Sequence, residues 1–489
     1  MSFDELMPRE LWNEILQDLP RETLQNLALS HRTLHRISRP FLFVTFVFHP
    51  YGVPYSPQKL DRVQWPEANE PLLFSQEVQD RELERLDFWS STEIAPLVRT
   101  CRLTPVVIGK TWGAENESDL EIALLTAFFE RLPRFTSIQY LHAYLVRFTQ
   151  TGLANLCLLP ALSQLEIVLG TMVEPIDCSS LHLSRVTSFR LQHTRHSSPN
   201  VVDSWMRLLP NQLVEMYLGF GPHLFADIAQ NIPPFPHVRK LTLRALRIGD
   251  RLNPMNASPV LPPILSKFSG VEVFVMEGYW PVSDHVPSEF SHLLPIVKEY
   301  VGLKDMLPIL LSQPTLSLIT TGWISWPWIM ETLCAPQSFN RVVSLTANSS
   351  RMDSTEFRFL FEIFPFLSML NLNITHGQQD RPNSLRKAFL ENITRVPTWL
   401  EFLSIRWKNS EAEYSSSDSE DDASTSDGGT GESRHIIELR TLVARCPALT
   451  SVWIENDDFL FRWHRLFDGT VDERTALDAG EFINCASLV

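Results

Sequence analysis

The sequence predicts an α/β chain: a small N-terminal helical module, then an irregular solenoid of helix–strand repeats. Three observations carry that reading. From about residue 97 a helix-like stretch rich in Leu and Phe, often closed by a proline, recurs together with a short alternating strand. The recurrence has a period near 25 residues, and a chain of 489 residues with 44% hydrophobic content exceeds what one compact core usually organises. The first 45 or so residues carry a different apolar pattern, at helical spacing alone.

The N-terminal module opens on "LMPRELWNEILQDLP", residues 6–20. Pro8 suits the first turn of a helix, where its missing N–H costs nothing, and Glu10 suits the positive helix end. Leu11 and Ile15 lie four apart and Leu16 and Leu19 three apart, giving a broad apolar face on only about three turns. After "LPRET", Leu24 and Leu27 begin a second stripe, continued by Leu34 and Ile37. So few residues hold too little core to be stable alone, so these faces need either the body of the chain or another protein.

Next, "RPFLFVTFVFHP" alternates and is rich in Phe and Val, as a first capping strand would be. A proline-punctuated connection from Tyr51 to about Leu72 precedes the helix-like "DRELERLDFWSS", and "EIAPLVRTCRLTP" completes a first helix–strand unit. In the repeats that follow, Pro133, Pro160, Pro210, Pro236, Pro365, Pro397 and Pro447 end the helical stretch and turn the chain toward the strand, because proline lacks the N–H and restricts its predecessor.

The first inward apolar residue of each strand is read as Ile138, Leu165, Phe189, Met216, Leu241, Val273, Leu318, Leu345, Leu370, Leu403 and Val452, with spacings of 27, 24, 27, 25, 32, 45, 27, 25, 33 and 49. The gap of 45 leaves room for a degenerate repeat around "LPIVKEYVG", residues 294–302. The gap of 49 shrinks to 26 without the 23 residues from Glu411 to Ser433. That segment holds eight acids, no base and almost no apolar residue, so it is expected to be a disordered loop. It carries about half of the formal charge of −15: without it the balance is 42 − 49 = −7. Ser417, Ser419 and Ser424 each have an acid three residues on, which suits phosphorylation by acidophilic kinases.

A strand and a helix every 20 to 29 residues resembles the leucine-rich-repeat type of solenoid, although the strict "LxxLxLxxN" signature is missing and the repeats are irregular. A generic α/β fold on parallel strands is the alternative. Residues 6 to about 45, "MPRELWNEILQDLP" and "LQNLALSHRTLHRI", resemble the F-box. An F-box ahead of irregular helix–strand repeats is similar to fungal F-box proteins with leucine-rich-repeat-like bodies. The resemblance divides the chain into an F-box of three helices at 1–45, a connecting segment with the first strand and helix at 46–96, and a repeat solenoid at 97–489 interrupted by the acidic insertion at 411–433. It implies docking on a Skp-family adaptor, and through it on cullin and RING subunits, with Pro8, Leu11, Ile15, Leu16, Leu19, Leu24 and Leu27 as the adaptor-binding residues. It further implies a substrate-recognition subunit of an SCF-type ubiquitin ligase that does no chemistry itself and whose repeats bind a protein target. A protein-interaction scaffold with no ubiquitin role is the alternative.

For the target, strand residues that alternate away from the apolar anchors should share one face of the sheet. Glu166, Arg190, Tyr217, Phe274, Asn371 and Trp453 are the expected contact residues, with Thr242 and Ser404 in the same rows. Trp323, Trp326 and Trp328 form a further aromatic cluster, read as core packing sooner than as a partner anchor.

Other classes lack signals. The acidic balance, with no basic patch to offset it, argues against a nucleic-acid partner. The N-terminus reads as neither a secretory nor a transit signal, and no apolar run reaches the ~18 residues of a spanning helix, so a cytoplasmic or nuclear protein without a membrane partner is expected. Six scattered cysteines without a C-x-x-C pair point to reduced thiols and no zinc, so the sequons at Asn373 and Asn392 are expected to go unused. No G-x-S-x-G, H-E-x-x-H, Walker A or G-x-G-x-x-G motif occurs, and His193 with His196 has no companion ligand, so no catalytic residue, metal or cofactor is expected.

Overall fold

A computed structural model describes residues 9–54, 73–108, 122–173, 176–193, 199–220, 224–225, 232–245, 261–278, 280, 293–324, 339–349, 352–376, 388–409, 439–456, 459–466 and 468–476. Pro8, His196, Trp326, Trp328, the acidic segment 411–433 with its three serines, Cys334 and Cys485 lie outside them. The protein is mixed α/β with a large, mostly parallel sheet. It divides into two compact units, one of residues 1–270 with 278–281, the other of 271–277 with 282–489. The break falls inside the single repeat region expected from the sequence, where the anchor spacing first lengthens to 32.

The first unit begins with three helices, α1 (Arg9–Gln17), α2 (Arg21–Ser30) and α3 (Arg32–Leu42). Pro20 precedes α2, and His31 separates α2 from α3 in an extended conformation. The His31 Nδ1 accepts the Thr33 N–H at 3.1 Å and so caps α3. Pro40 lies inside the last turn of α3. Arg39 pairs with Glu93 at 2.7 Å, and Phe43 meets Trp89 edge-on at 5.4 Å, which ties the helices to the chain beyond them.

Seven strands of this unit then run parallel in the order β1 (Thr45–Phe48), β3 (Thr100–Leu103), β5 (Tyr140–Tyr144), β7 (Gln164–Val168), β9 (Ser188–His193), β10 (Glu215–Phe220) and β11 (Lys240–Ala245). Short strands β2 (Gly52–Pro54) and β4 (Val106–Ile108) pair beside it, as do β6 (Arg147–Phe148) and β8 (Thr171–Met172). Helices α4 (Gln76–Trp89), α5 (Ala123–Arg131), α6 (Gln150–Cys157) and α7 (Pro199–Leu208) alternate with the main strands. Proline acts as the sequence suggests: α5 passes into a 3₁₀ turn holding Pro133, and α6 and α7 end two to three residues before Pro160 and Pro210.

Every second strand residue faces the helices and is buried. Phe46 stacks on Trp89 at 4.9 Å and on Phe135 at 5.7 Å, and Phe48 on Phe128 at 5.4 Å. Such rings contribute about 1.5–3 kcal/mol each on burial. The inward rows align across the strands: Leu141, Leu165, Phe189, Met216 and Leu241 are in register. The first anchor therefore moves from Ile138, which is buried in the turn before β5, to Leu141.

The second unit orders β12 (Val273–Gly278, whose last residue, Gly278, belongs to the first unit), β13 (Glu299–Gly302), β14 (Leu318–Ile324), β15 (Ser344–Ser349), β16 (Met369–His376), β17 (Phe402–Asn409) and β18 (Ser451–Asn456) in parallel. Strand β13 occupies the place of the degenerate repeat expected at residues 294–302. Two strands without a sequence expectation, β19 (Phe459–Arg465) and β20 (Val471–Ala476), follow antiparallel. Helix Ser354–Ile363 starts with a capping box: Asp353 Oδ1 accepts the Glu356 N–H at 2.9 Å and Glu356 Oε2 accepts the Asp353 N–H at 2.7 Å. Asn392 is buried and donates to the Ser354 carbonyl at 2.8 Å, so this sequon is closed to glycosylation in the folded chain.

Candidate functional site

Two surfaces gather the expected residues, one on the N-terminal helices and one on the face of the sheet turned away from the core. On α1, Leu16 is 1% exposed and packs inward, whereas Leu11 and Ile15 are 46% and 45% exposed. The helix thus carries two apolar faces, one used internally and one turned outward. On α2, Leu24 is buried, Leu27 is half-buried and Leu29 is 86% exposed; Leu19, between α1 and α2, is half-buried. Leu29 escaped the sequence reading because it falls outside the stripe defined by Leu24 and Leu27.

In the first unit, three of the six expected target residues come together. Glu166, Arg190 and Tyr217 occupy one row on β7, β9 and β10, preceded by Arg102 and His142 on β3 and β5 and followed by Thr242 on β11. The Glu166 carboxylate is the centre of this row. Tyr140 Oη donates to its Oε2 at 2.5 Å, His142 Nδ1 lies 3.2 Å from Oε2, and Arg190 Nε lies 3.2 Å from Oε1. The Arg190 contact is an ion pair without the alignment of a hydrogen bond, since Nε is buried with no aligned acceptor. The His142 contact first, then the Tyr140 hydrogen bond and the Arg190 charge, hold the Glu166 carboxyl down at about 2 against the opposing effect of burial. Burial and the same carboxylate push the Tyr140 phenol up.

Beyond Glu166, the Arg190 guanidinium stacks on the Tyr217 ring at 4.1 Å, and Arg244 Nη1 donates to Tyr217 Oη at 3.3 Å. Arg102, Tyr140, His142 and Arg244 complete the cluster. Each sits at the same strand parity as the expected residues, which is the signal that could have found them. Thr242 shares the row but is buried.

In the second unit, Asn371 and Trp453 share a row with Ser404 between them, so they stand about 10 Å apart, two strand spacings. Ser404 is buried. The Trp453 Nε1–H donates to Glu455 at 2.9 Å, and Arg406 and Arg462 approach its ring at 5.3 and 5.5 Å. Phe274 does not belong to this face. It is 0% exposed and in register with Tyr300, Ile319, Leu345, Leu370, Leu403 and Val452, the inward row. The anchors read as Val273 and Leu318 are therefore one residue early. Both lie next to the true inward residue, and in a strand that slip exchanges the two faces. Trp323 lies on β14.

Among the described residues, no cluster of three His, Cys, Asp or Glu could hold a metal ion, and no helix is long and apolar enough to cross a membrane. Cys101, Cys157, Cys178 and Cys446 are free thiols, and burial pushes all four up, Cys157 to about 11. His193 is fully buried, and burial pushes its imidazole down to about 4. No model of a known protein family matches the chain, and no curated protein does.

Proposed function

We propose that this protein is a substrate receptor of an SCF-type ubiquitin ligase: an F-box at the N-terminus binds a Skp-family adaptor, and a leucine-rich-repeat-like solenoid presents a target. The observation that carries the reading is the outward pair Leu11 and Ile15 on a helix whose Leu16 already serves the interior. A helix that only capped the repeats would need one apolar face, and α1 has two. Leu29 adds exposed apolar surface on α2. Burying such surface contributes roughly 25 cal/mol per Å² before the costs of association. The sequence order of proline, glutamate and isoleucine in "MPRELWNEIL" points the same way. The chain itself does no chemistry in this reading. It supplies proximity, holding a target lysine near a thioester formed on another subunit.

The test is co-purification with a Skp-family adaptor, comparing the native chain with Leu11→Asp, Ile15→Asp. Both side chains are exposed, so the variant keeps its fold, checked by circular dichroism, and loses the stoichiometric complex. A native chain that forms no complex abandons the ligase reading in favour of a repeat scaffold.

A further inference from the structure

The sheet face of the first unit reverses the charge of the chain that carries it. Residues of β3 to β11 that alternate with the inward rows include Arg102, Arg190, Lys240 and Arg244 against Glu166 and Glu215, a formal balance of 4 − 2 = +2 on a chain of −15. One of the two carboxylates is already engaged: Glu166 is held by Tyr140, His142 and Arg190 and is only 17% exposed. Arg102, Arg190 and Lys240 are more accessible than Glu166, while Glu215 is itself exposed. Arg190 is 42% exposed, Arg102 and Lys240 are exposed, and Arg102 enters no hydrogen bond or ion pair among the described residues. The remaining charge of the chain is screened over about 8 Å at physiological salt, so this local balance governs a ligand lying on the face.

We propose that this face binds an extended acidic peptide segment, rich in Asp and Glu, of the protein target. The identity of that segment as a target rests on the receptor reading; the binding itself does not. Two features argue for a run of carboxylates over a single compact anion. The cations are spread out: three strand spacings separate Arg102 from Arg190, about 14 Å, and two more spacings with a two-residue offset along β11 put Arg244 about 12 Å from Arg190. An extended chain at about 3.3 Å per residue crosses that span in about eight residues. The Arg190 guanidinium is also fixed in advance, with Tyr217 against its plane and Glu166 against Nε, so its outer N–H groups keep the fork that matches a carboxylate.

The probe is a fluorescein-labelled peptide of about twelve residues alternating Glu and Ser, titrated with the full-length protein by fluorescence anisotropy at physiological salt and above. A Gln/Ser peptide and a Gln/Ser peptide carrying one phosphoserine serve as comparisons. We expect binding of the Glu/Ser peptide that weakens with salt, none of the Gln/Ser peptide, and a loss of about tenfold for each of Arg102→Glu and Arg190→Gln, the effect of ~1.4 kcal/mol per contact. Arg102→Glu changes an exposed side chain that enters no hydrogen bond or ion pair among the described residues, so its thermal midpoint should stay close to that of the native chain. Absence of Glu/Ser binding, equal binding by the Arg102→Glu variant, or stronger binding of the single phosphoserine peptide would overturn the proposal. The Leu11→Asp, Ile15→Asp variant should bind the peptide normally, so failure of the adaptor reading and failure of this one are told apart.

Discussion

The guanidinium carbon of Arg190 stands 4.1 Å from the centroid of the Tyr217 ring, on the neighbouring strand and directly opposite it in register. Cross-strand pairs are the unit of sheet stabilisation, and a cation over an exposed aromatic face contributes about 0.5–1 kcal/mol. A double-mutant cycle of Arg190→Gln and Tyr217→Leu in urea denaturation should therefore return a coupling of about that size. Additive single effects would show that the two side chains merely lie side by side.

Glu166 makes the same cluster pH-sensitive in a defined window. Its folded-state carboxyl is held at about 2 against an ordinary 4.5. Between those values the unfolded chain binds the proton and the folded chain does not, so stability rises with pH. The contribution is complete above about pH 4.5 and disappears as pH falls through 2. Glu166→Gln should lower stability at neutral pH by on the order of 1–2 kcal/mol, after allowance for partial solvent screening, and should flatten the curve between pH 4.5 and 2. A curve with the native slope in that window would assign the acid sensitivity elsewhere.

His193 acts one window higher by a different cause. Desolvation alone holds its imidazole at about 4 against 6.5, so the folded chain keeps it neutral while the unfolded chain takes up a proton. Stability is full above pH 6.5 and falls by about 3 kcal/mol by pH 4, the size of the shift at 1.36 kcal/mol per unit. His193→Gln keeps a polar group of similar size and removes the titration. Its unfolding free energy should show a smaller loss between pH 6.5 and 4 than that of the native chain, measured by denaturant midpoints across the range.

How far the chain could be read follows from what each pattern encodes. Helix ends at Pro133, Pro160 and Pro210 were legible because proline acts locally. The spacing of inward residues was legible where a single apolar residue meets polar neighbours, as at Leu345 between Ser344 and Thr346. It failed at Val273–Phe274 and Leu318–Ile319, where two apolar residues adjoin and only pairing with the next strand decides which turns inward. The Glu166 cluster was half legible. Parity placed Glu166, Arg190 and Tyr217 on one face, but Tyr140 reaches Glu166 along a diagonal that no single-chain spacing reveals. The hairpin of β19 and β20 was missed because it breaks the repeat that had organised everything before it.

Gly278 gives the sharpest test of the packing. It ends β12 with φ of 85°, in the left-handed region that costs other residues about 1–2 kcal/mol, and a Cβ there would stand 2.1 Å from the Ala245 carbonyl oxygen. The obstructing atom belongs to the backbone of β11, so no rotamer change relieves it. Gly278→Ala should therefore cost more than the conformational term alone, above ~2 kcal/mol, and lower the thermal midpoint accordingly. Gly322, at the irregularity of β14, is the matched control: a Cβ there meets nothing within 4 Å among the described residues, and its φ is not left-handed. Gly322→Ala should leave the midpoint nearly unchanged, and equal losses at the two positions would mean that the close approach of Gly278 to Ala245 does not govern stability.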